Sequence, residues 1–227
     1  MLQKRCTTTL IGKFIVNREK LLRAALWLAV ITIAYNAIEG IISIAFGLSD
    51  DTLALLGFGI DSFVEVISGV GILHMVMRMQ RSEPDKNDQF ERNALRITGF
   101  SFMLLTAGLV AGSVINLIHD NKPDTTVPGI IISTVSILTM WALMKAKLKV
   151  GKKLNSDAII ADAHCTRTCF YLSIILLMAS GLFEIFQIGY FDIAGSIGIA
   201  YFAFREGLEA FGKARGKISC HCGTENC

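Results

Sequence analysis

Six long apolar stretches constrain the fold of this chain more than any other feature of its sequence. Each approaches or exceeds the roughly 20 residues that an α-helix needs to cross the hydrocarbon core of a bilayer. The polar segments between them are short and carry turn-forming or charged residues, as in "GLSDD" and "HDNKPDTTVPG". We therefore predict an all-α, polytopic membrane protein with six transmembrane helices. The predicted spans are Leu21–Gly47, Thr52–Met79, Ala94–His119, Val127–Met144, Ser156–Phe186 and Ile188–Phe211.

The distribution of lysine and arginine predicts the orientation of these spans. The second and fourth connections hold five basic residues each, whereas the first and fifth hold none and the third holds only Lys122. Basic residues are retained on the cytoplasmic side of a membrane. The alternation predicts that both termini lie in the cytoplasm. The basic residues of the fourth connection are Lys145, Lys147, Lys149, Lys152 and Lys153.

Composition excludes several other classes of protein. The chain is 52% apolar and only 18% charged, which is too apolar for an ordinary soluble domain of 227 residues. Its basic residues do not form a nucleic-acid-binding stripe, and no nucleophile stands with a base as in an enzyme. We predict a basic N-terminal segment (1–20), a membrane domain (21–211) and a cytoplasmic tail (212–227) in the inner membrane of a bacterium, with no nucleic-acid partner and no cofactor.

Two acidic residues four positions apart mark the second span. Asp61 and Glu65 in "GFGIDSFVEVISG" share one helix face. An ionisable side chain in the middle of a span costs about 2.5 to 3.5 kcal/mol on insertion scales. Neighbouring carboxylates repel each other unless protons or a cation neutralise them, so a divalent ion arriving there would displace protons. The pair is a candidate site for metal and proton exchange.

The fifth span offers an oxygen ligand and two sulfur ligands. Asp162, Cys165 and Cys169 stand at i, i+3 and i+7 in "ADAHCTRTC" and therefore share a face. Oxygen and sulfur together suit Zn²⁺, or softer ions such as Cd²⁺. These three residues join Asp61 and Glu65 as candidate metal ligands.

Structural roles compete with some of these assignments. Glu39 of the first span or Asp162 can serve as the counter-ion of Arg167, the basic residue inside the fifth span. Small buried cysteines also allow helices to pack closely. We therefore treat Glu39, Asn36 and His164 as accessory candidates only.

A second cluster of metal-binding residue types lies in the tail, in "CHCGTENC". Cysteine and histidine crowded on a polar segment bind zinc or softer metals, although this spacing is not that of a zinc finger. An incidental, reduced tail explains the same residues. The candidate tail site consists of Cys220, His221, Cys222 and Cys227.

These features together resemble the cation diffusion facilitator family of divalent metal exporters. The fragments that carry the resemblance are "LLGFGIDSFVEVISG", "SDAIIADAHCTRTCFYLS" and "YFDIAGSIGIAYFAFREGLEAF", and it extends from about Leu21 to Phe211. "WLAVITIAYNAIEG" and "FERNALRITGFSF" are similar to a small branch that lacks the family's cytoplasmic C-terminal domain. The resemblance implies proton-coupled antiport through a tetrahedral site near the middle of the bilayer, built from spans two and five.

The resemblance also implies a role for individual residues. It matches Asp61 and Glu65 to the acids of span two, and Cys165 and Cys169 to positions where the family has His or Asp followed by Asp. Thiols at those positions imply softer ions and leave Asp162 or Glu39 to complete the site. Without the C-terminal domain, any homodimer is expected to form through the spans or the short termini.

The predicted function is efflux of a divalent metal, Zn²⁺ foremost and Cd²⁺ or another soft ion next, by proton antiport. The metal ions and protons are transported substrates. One alternative is a membrane-anchored metal sensor or delivery protein that uses the Cys/His tail. Another is a carrier or channel for a different small cation, lined by Glu39, Asp61 and Glu65.

Overall fold

The computed structural model describes residues 2–80, 88–119, 122–124, 126–154 and 157–215. Within these ranges the regular structure is entirely helical, in agreement with the predicted fold class. The helices are α1 (Leu2–Ser49), α2 (Leu53–Gln80), α3 (Asp88–His119), α4 (Val127–Leu154), α5 (Asp157–Phe186) and α6 (Tyr190–Ala214).

Helices α1 to α5 each contain a segment long and apolar enough to cross a membrane, and these five are the ones found in the described part of the chain. Helix α6 has 25 residues, but Asp192 near its start and Arg205 and Glu206 near its end interrupt its apolar sequence. It packs extensively along α3, a helix that does meet the criterion. The prediction of a multi-pass membrane protein is confirmed.

The bundle has an apolar exterior and a partly polar interior. Trp27, Leu104 and Ile118 are 65 to 73% exposed, whereas many serines and threonines are buried. Buried hydroxyls join the helices, as in the 2.7 Å hydrogen bond between Ser113 and Ser196. In lipid, no hydrophobic effect drives helices together, because the lipid tails are as apolar as the helix surfaces. Helices therefore associate through small side chains and interhelical hydrogen bonds. The distribution is therefore that of a membrane domain.

The packing places the N-terminal part of α1 and the C-terminal end of α6 on one side of the bundle. Leu22 of α1, Val76 of α2 and Ile159 of α5 share an apolar cluster, against which Leu154 of α4 also packs. At the same side Phe211, near the end of α6, lies beside Gly99, near the start of α3. We call this the basic end of the bundle, because Arg96, Lys152, Lys153 and Arg215 lie there. This arrangement of the helix ends is the one that the predicted topology, with both termini in the cytoplasm, requires.

Helices α1 and α4 extend beyond the apolar stretches from which the spans are predicted. Helix α1 begins at Leu2, so residues 2–20 of the predicted N-terminal segment are helical and continuous with the first span. Helix α4 continues to Leu154 through most of the predicted fourth connection. Lysine is a good helix former, so a basic sequence does not end a helix. One consequence is that Lys147, predicted to lie in a cytoplasmic connection, is a buried residue of α4.

Glycines allow α1 and α2 to approach closely. A Cβ atom at Gly47 would lie 2.6 Å from the backbone nitrogen of Leu56, and one at Gly59 would lie 2.8 Å from that of Ile44. Backbone atoms cannot move aside as the end of a flexible side chain can. Small residues at such crossings are a general device of membrane helices. This close packing holds the polar residues of α1 against those of α2.

We expect Gly47→Ala to destabilise the protein by about 1 to 3 kcal/mol, because overpacking forces the backbones of α1 and α2 apart. Gly108→Ala is the matched control, since a Cβ atom there meets nothing within 4 Å. Thermal unfolding in detergent measures both. Equal midpoints for the two variants would contradict the close α1–α2 packing.

Candidate metal site

The acids of α2 lie inside the bundle, one helical turn apart. Asp61 is only 3% exposed, while Glu65 retains some accessible surface. Their carboxylates interact electrostatically. No glycine or proline separates them in "DSFVE", so α2 is regular between them and the predicted shared face is present. The pair forms the centre of the candidate site.

Helix α1 contributes polar side chains to the interior beside these acids. The Asn36 amide Nδ2 donates a 2.9 Å hydrogen bond to Glu65 Oε2. The Tyr35 hydroxyl donates to Glu39 Oε1 at 2.8 Å, and the Ser62 hydroxyl donates to Glu39 Oε2 at 3.2 Å. The accessory candidates Asn36 and Glu39 therefore lie in the same polar interior as the α2 acids, although they were predicted only from their presence in an apolar span.

Two oxygen atoms of the candidate residues lack hydrogen-bond partners. They are Asn36 Oδ1 and Asp61 Oδ1, which find no donor among the residues that the structure describes. Asn36 is fully buried and Asp61 nearly so. A buried acceptor without a partner costs about 1 to 3 kcal/mol, and oxygen atoms of amides and carboxylates are ligands for divalent cations. The two atoms are suited to a bound cation.

Glu206 of α6 is an acid that sequence reasoning missed. It interacts electrostatically with Asp61 and accepts a 2.9 Å hydrogen bond from the Thr168 hydroxyl. Glu206 follows Arg205 near the end of the predicted sixth span, where charged residues are ordinary. Glu206 lies fourteen residues, or about four helical turns, after Asp192, so both acids lie on one face of α6. This spacing is the sequence feature that could have identified Glu206.

Asp162 forms a buried ion pair with Lys147. Its Oδ2 lies 2.9 Å from Lys147 Nζ, and Lys147 also donates a 2.9 Å hydrogen bond to the Thr166 hydroxyl. The side chains of Lys147 and Asp162 are 2% and 11% exposed. The predicted alternative of an Arg167 counter-ion is therefore wrong for Asp162, because Lys147 takes that place and Arg167 is exposed.

The buried cysteine of α5, Cys169, packs against α4 and not against the acids of α2. Cys169 is buried in an apolar cluster with Met140 and Leu143 of α4, and its thiol donates to the Cys165 carbonyl oxygen at 3.3 Å. Within the described ranges no group of three or more His, Cys, Asp or Glu residues has the geometry to hold a metal. The complete predicted ligand set, Asp61, Glu65, Asp162, Cys165 and Cys169, is thus not assembled here.

The remaining candidates lie elsewhere. His164 is exposed on α5, in keeping with its position beside the Asp162 and Cys165 face. The tail candidates Cys220, His221, Cys222 and Cys227 lie outside the described residues.

The sequence matches the cation efflux transmembrane domain over residues 29–216. The chain belongs to the cation diffusion facilitator family. The match begins within α1 and includes α2 to α6 and every residue of the polar interior described above. The resemblance predicted from the acids of span two and the ligand pair of span five is confirmed.

Two relatives are similar to this cation diffusion facilitator. One is an uncharacterized transporter of Methanocaldococcus jannaschii, 27% identical over 173 residues, which are 74% of this chain and 61% of the relative. The other is the magnetosome protein MamB of Magnetospirillum gryphiswaldense, 22% identical over 193 residues, which are 83% of this chain and 63% of MamB. The chain spans less than two thirds of the length of either relative.

Proposed function

We propose that this protein exports a divalent metal, Zn²⁺ foremost, in exchange for protons, with Asp61, Glu65 and Asn36 as its principal ligands. The observation that carries the proposal is the pair of unpartnered buried oxygens, Asn36 Oδ1 and Asp61 Oδ1. They belong to residues adjoining Glu65, which Asn36 binds directly. The protein belongs to a family of cation efflux transporters. The polar interior that holds Asn36, Asp61 and Glu65 is where this protein offers ligands to a cation.

Charge explains why the site would take a divalent ion. Asp61 has Glu39 and Glu206 as charged neighbours, and Glu65 has Asp61. Lys147 is the basic residue that interacts with Glu65, and Asp162 already balances it. Acids gathered in a low-dielectric interior are stabilised either by protons or by a cation of charge two. Metal and protons therefore compete for the same oxygens, which is the requirement for antiport.

The proposed cycle follows from this competition. With the site open to the basic end, a metal ion binds Asp61 and Glu65 as their protons leave. With the site open to the opposite end, protons return to the carboxylates and the metal departs. We place Cys165 and Cys169 among the ligands of a second conformation, because Cys169 packs against α4 here and its thiol reaches the acids only if α5 moves relative to α2.

We expect Cys165→Ser with Cys169→Ser to reduce the preference for Cd²⁺ over Zn²⁺ by about tenfold, because oxygen ligands are harder than thiolates. Competition between the two ions for transport into proteoliposomes measures the preference. Cys6→Ser is the control, since it removes a thiol outside the spans. An unchanged preference would remove the thiols from the proposed ligand set.

Deleting residues 218–227 tests the rival function of a sensor that binds metal through its tail. We expect the shortened protein to transport zinc into proteoliposomes at the rate of the full chain, because the proposed ligands are in the helices. Loss of zinc transport on deletion would contradict the proposal and favour the tail.

A further inference from the structure

Lys147 is a buried lysine that has no role in the transport cycle proposed above. It lies on the buried stripe of α4, where residues recur at spacings of three and four, and it follows the small residues Ser133 and Ser136 on that stripe. Seven residues share the stripe: Gly129, Ser133, Ser136, Met140, Leu143, Lys147 and Gly151. The helix therefore directs the lysine into the bundle rather than toward solvent.

Two acids interact with the ammonium group of Lys147, one by direct contact and one through its charge. Asp162 holds it at 2.9 Å, with the Thr166 hydroxyl as a second acceptor at the same distance. Glu65 also interacts with it electrostatically. Glu65 in turn accepts a hydrogen bond from Asn36 of α1, so this proposed metal ligand has a neutral hydrogen-bond partner in Asn36 and a cationic neighbour in Lys147.

We propose that Lys147 is a tethered competitor of the transported cation, which sets the metal affinity of Glu65 and assists release by neutralising Glu65 as the metal departs. Asp162 and Thr166 act against it by holding the ammonium group away from Glu65. The inference rests on the proposed metal site at Asp61 and Glu65. Lys147 is thus a positioning and affinity-setting residue and not a metal ligand.

Opposite effects from the two partners of one ion pair distinguish this role from a structural one. Removing the lysine charge removes a cation that repels a metal ion at Glu65, so the affinity for zinc rises. Removing the Asp162 charge frees the ammonium group to turn to Glu65, so affinity falls. A purely structural ion pair would instead impair binding in both variants, because each leaves the bundle with a broken contact.

Zinc binding to the purified full-length protein, measured by calorimetry with Zn²⁺ as the probe, tests the proposal. We expect Lys147→Gln to bind zinc about tenfold more tightly and Asp162→Asn about tenfold more weakly, because each variant removes one unit charge that acts on Glu65. Lys145→Gln is the matched control, because Lys145 is an exposed lysine of the same helix whose ammonium lies 3.7 Å from the Trp141 ring centre. It should change affinity by less than about twofold.

Thr166→Val keeps the proposal testable if Asp162→Asn does not fold. It removes one acceptor from Lys147 and leaves the ion pair, so we expect zinc affinity to fall by about threefold. In proteoliposomes, Lys147→Gln should lower both the KM for zinc and the maximal rate, because tight binding without the competitor slows release. A structural role would not produce this combination.

Shifts of Lys147→Gln and Asp162→Asn in the same direction, or shifts no larger than that of Lys145→Gln, would overturn the inference. If Asp61→Asn weakens zinc binding at the same time, the proposed metal site stands and only the role of Lys147 falls. Zinc binding that Asp61→Asn leaves unchanged would contradict the metal site, and the inference with it.

Discussion

Asp61→Asn is expected to weaken zinc binding at least about hundredfold, the largest functional effect of a single substitution in this protein. The change preserves the size of the side chain and removes its charge. Asp61 is nearly inaccessible and has Glu39 and Glu206 as charged neighbours. A cation that loses a charged partner in such an interior loses several kcal/mol of interaction, and each 1.4 kcal/mol is about tenfold in affinity.

The control for this substitution is Asp51→Asn. Asp51 is an exposed residue of the turn between α1 and α2, with a positive φ of 52°. Asparagine tolerates that conformation as aspartate does, so this variant removes one negative charge without straining the fold. Calorimetry with Zn²⁺ should show unchanged affinity for it. Equal losses in the two variants would mean that net charge, and not the buried site, determines zinc binding.

Asp192→Ala is expected to cause the largest loss of stability, roughly 2 to 4 kcal/mol from two hydrogen bonds to a charged group. Asp192 lies in the first turn of α6, and its carboxylate accepts hydrogen bonds from the backbone nitrogens of Leu53 and Ala54 at 3.0 and 3.1 Å. Those nitrogens begin α2 and have no acceptor within their own helix. A buried carboxylate of one helix thus caps the start of another, where the helix dipole also favours negative charge.

Asp192→Asn separates the contributions of geometry and charge in this cap. Its amide keeps one oxygen acceptor, so we expect a loss of about half that of Asp192→Ala. Thermal unfolding in detergent, followed by circular dichroism, compares the two variants with the wild type. An alanine variant as stable as the wild type would show that the cap contributes little to the folded bundle.

The six helices and the family were predictable because apolar length and the spacing of acids are local properties of the sequence. The helix ends were not. The segment from Lys145 to Leu154 is predicted to be a connection because its charges end the apolar stretch. No proline interrupts this segment, and α4 continues to Leu154. A count of charges locates the edge of a span better than the end of its helix.

The candidate site was predictable in part, for a related reason. Asp61, Glu65, Asn36 and Glu39 were evident because polar residues inside apolar spans are conspicuous. Lys147 was not, because a lysine among lysines usually faces water. Its place on the buried stripe of α4 depends on which face of the helix meets α5, and that follows from the packing of the whole bundle.

The same limit applies to the thiols. Cys169 shares a predicted face with Asp162, and both do pack toward α4. The sequence could not show that Cys169 packs into an apolar cluster with α4.

Zinc uptake into proteoliposomes that hold a proton gradient tests the central claim most directly, with the wild type beside the Asp61→Asn, Glu65→Gln variant. The account predicts uptake by the wild type that stops when the gradient is dissipated, and a reduction of at least about hundredfold in the variant, since both charged ligands are lost. Uptake that persists in the variant would contradict the account, because zinc would then cross without the acids of α2.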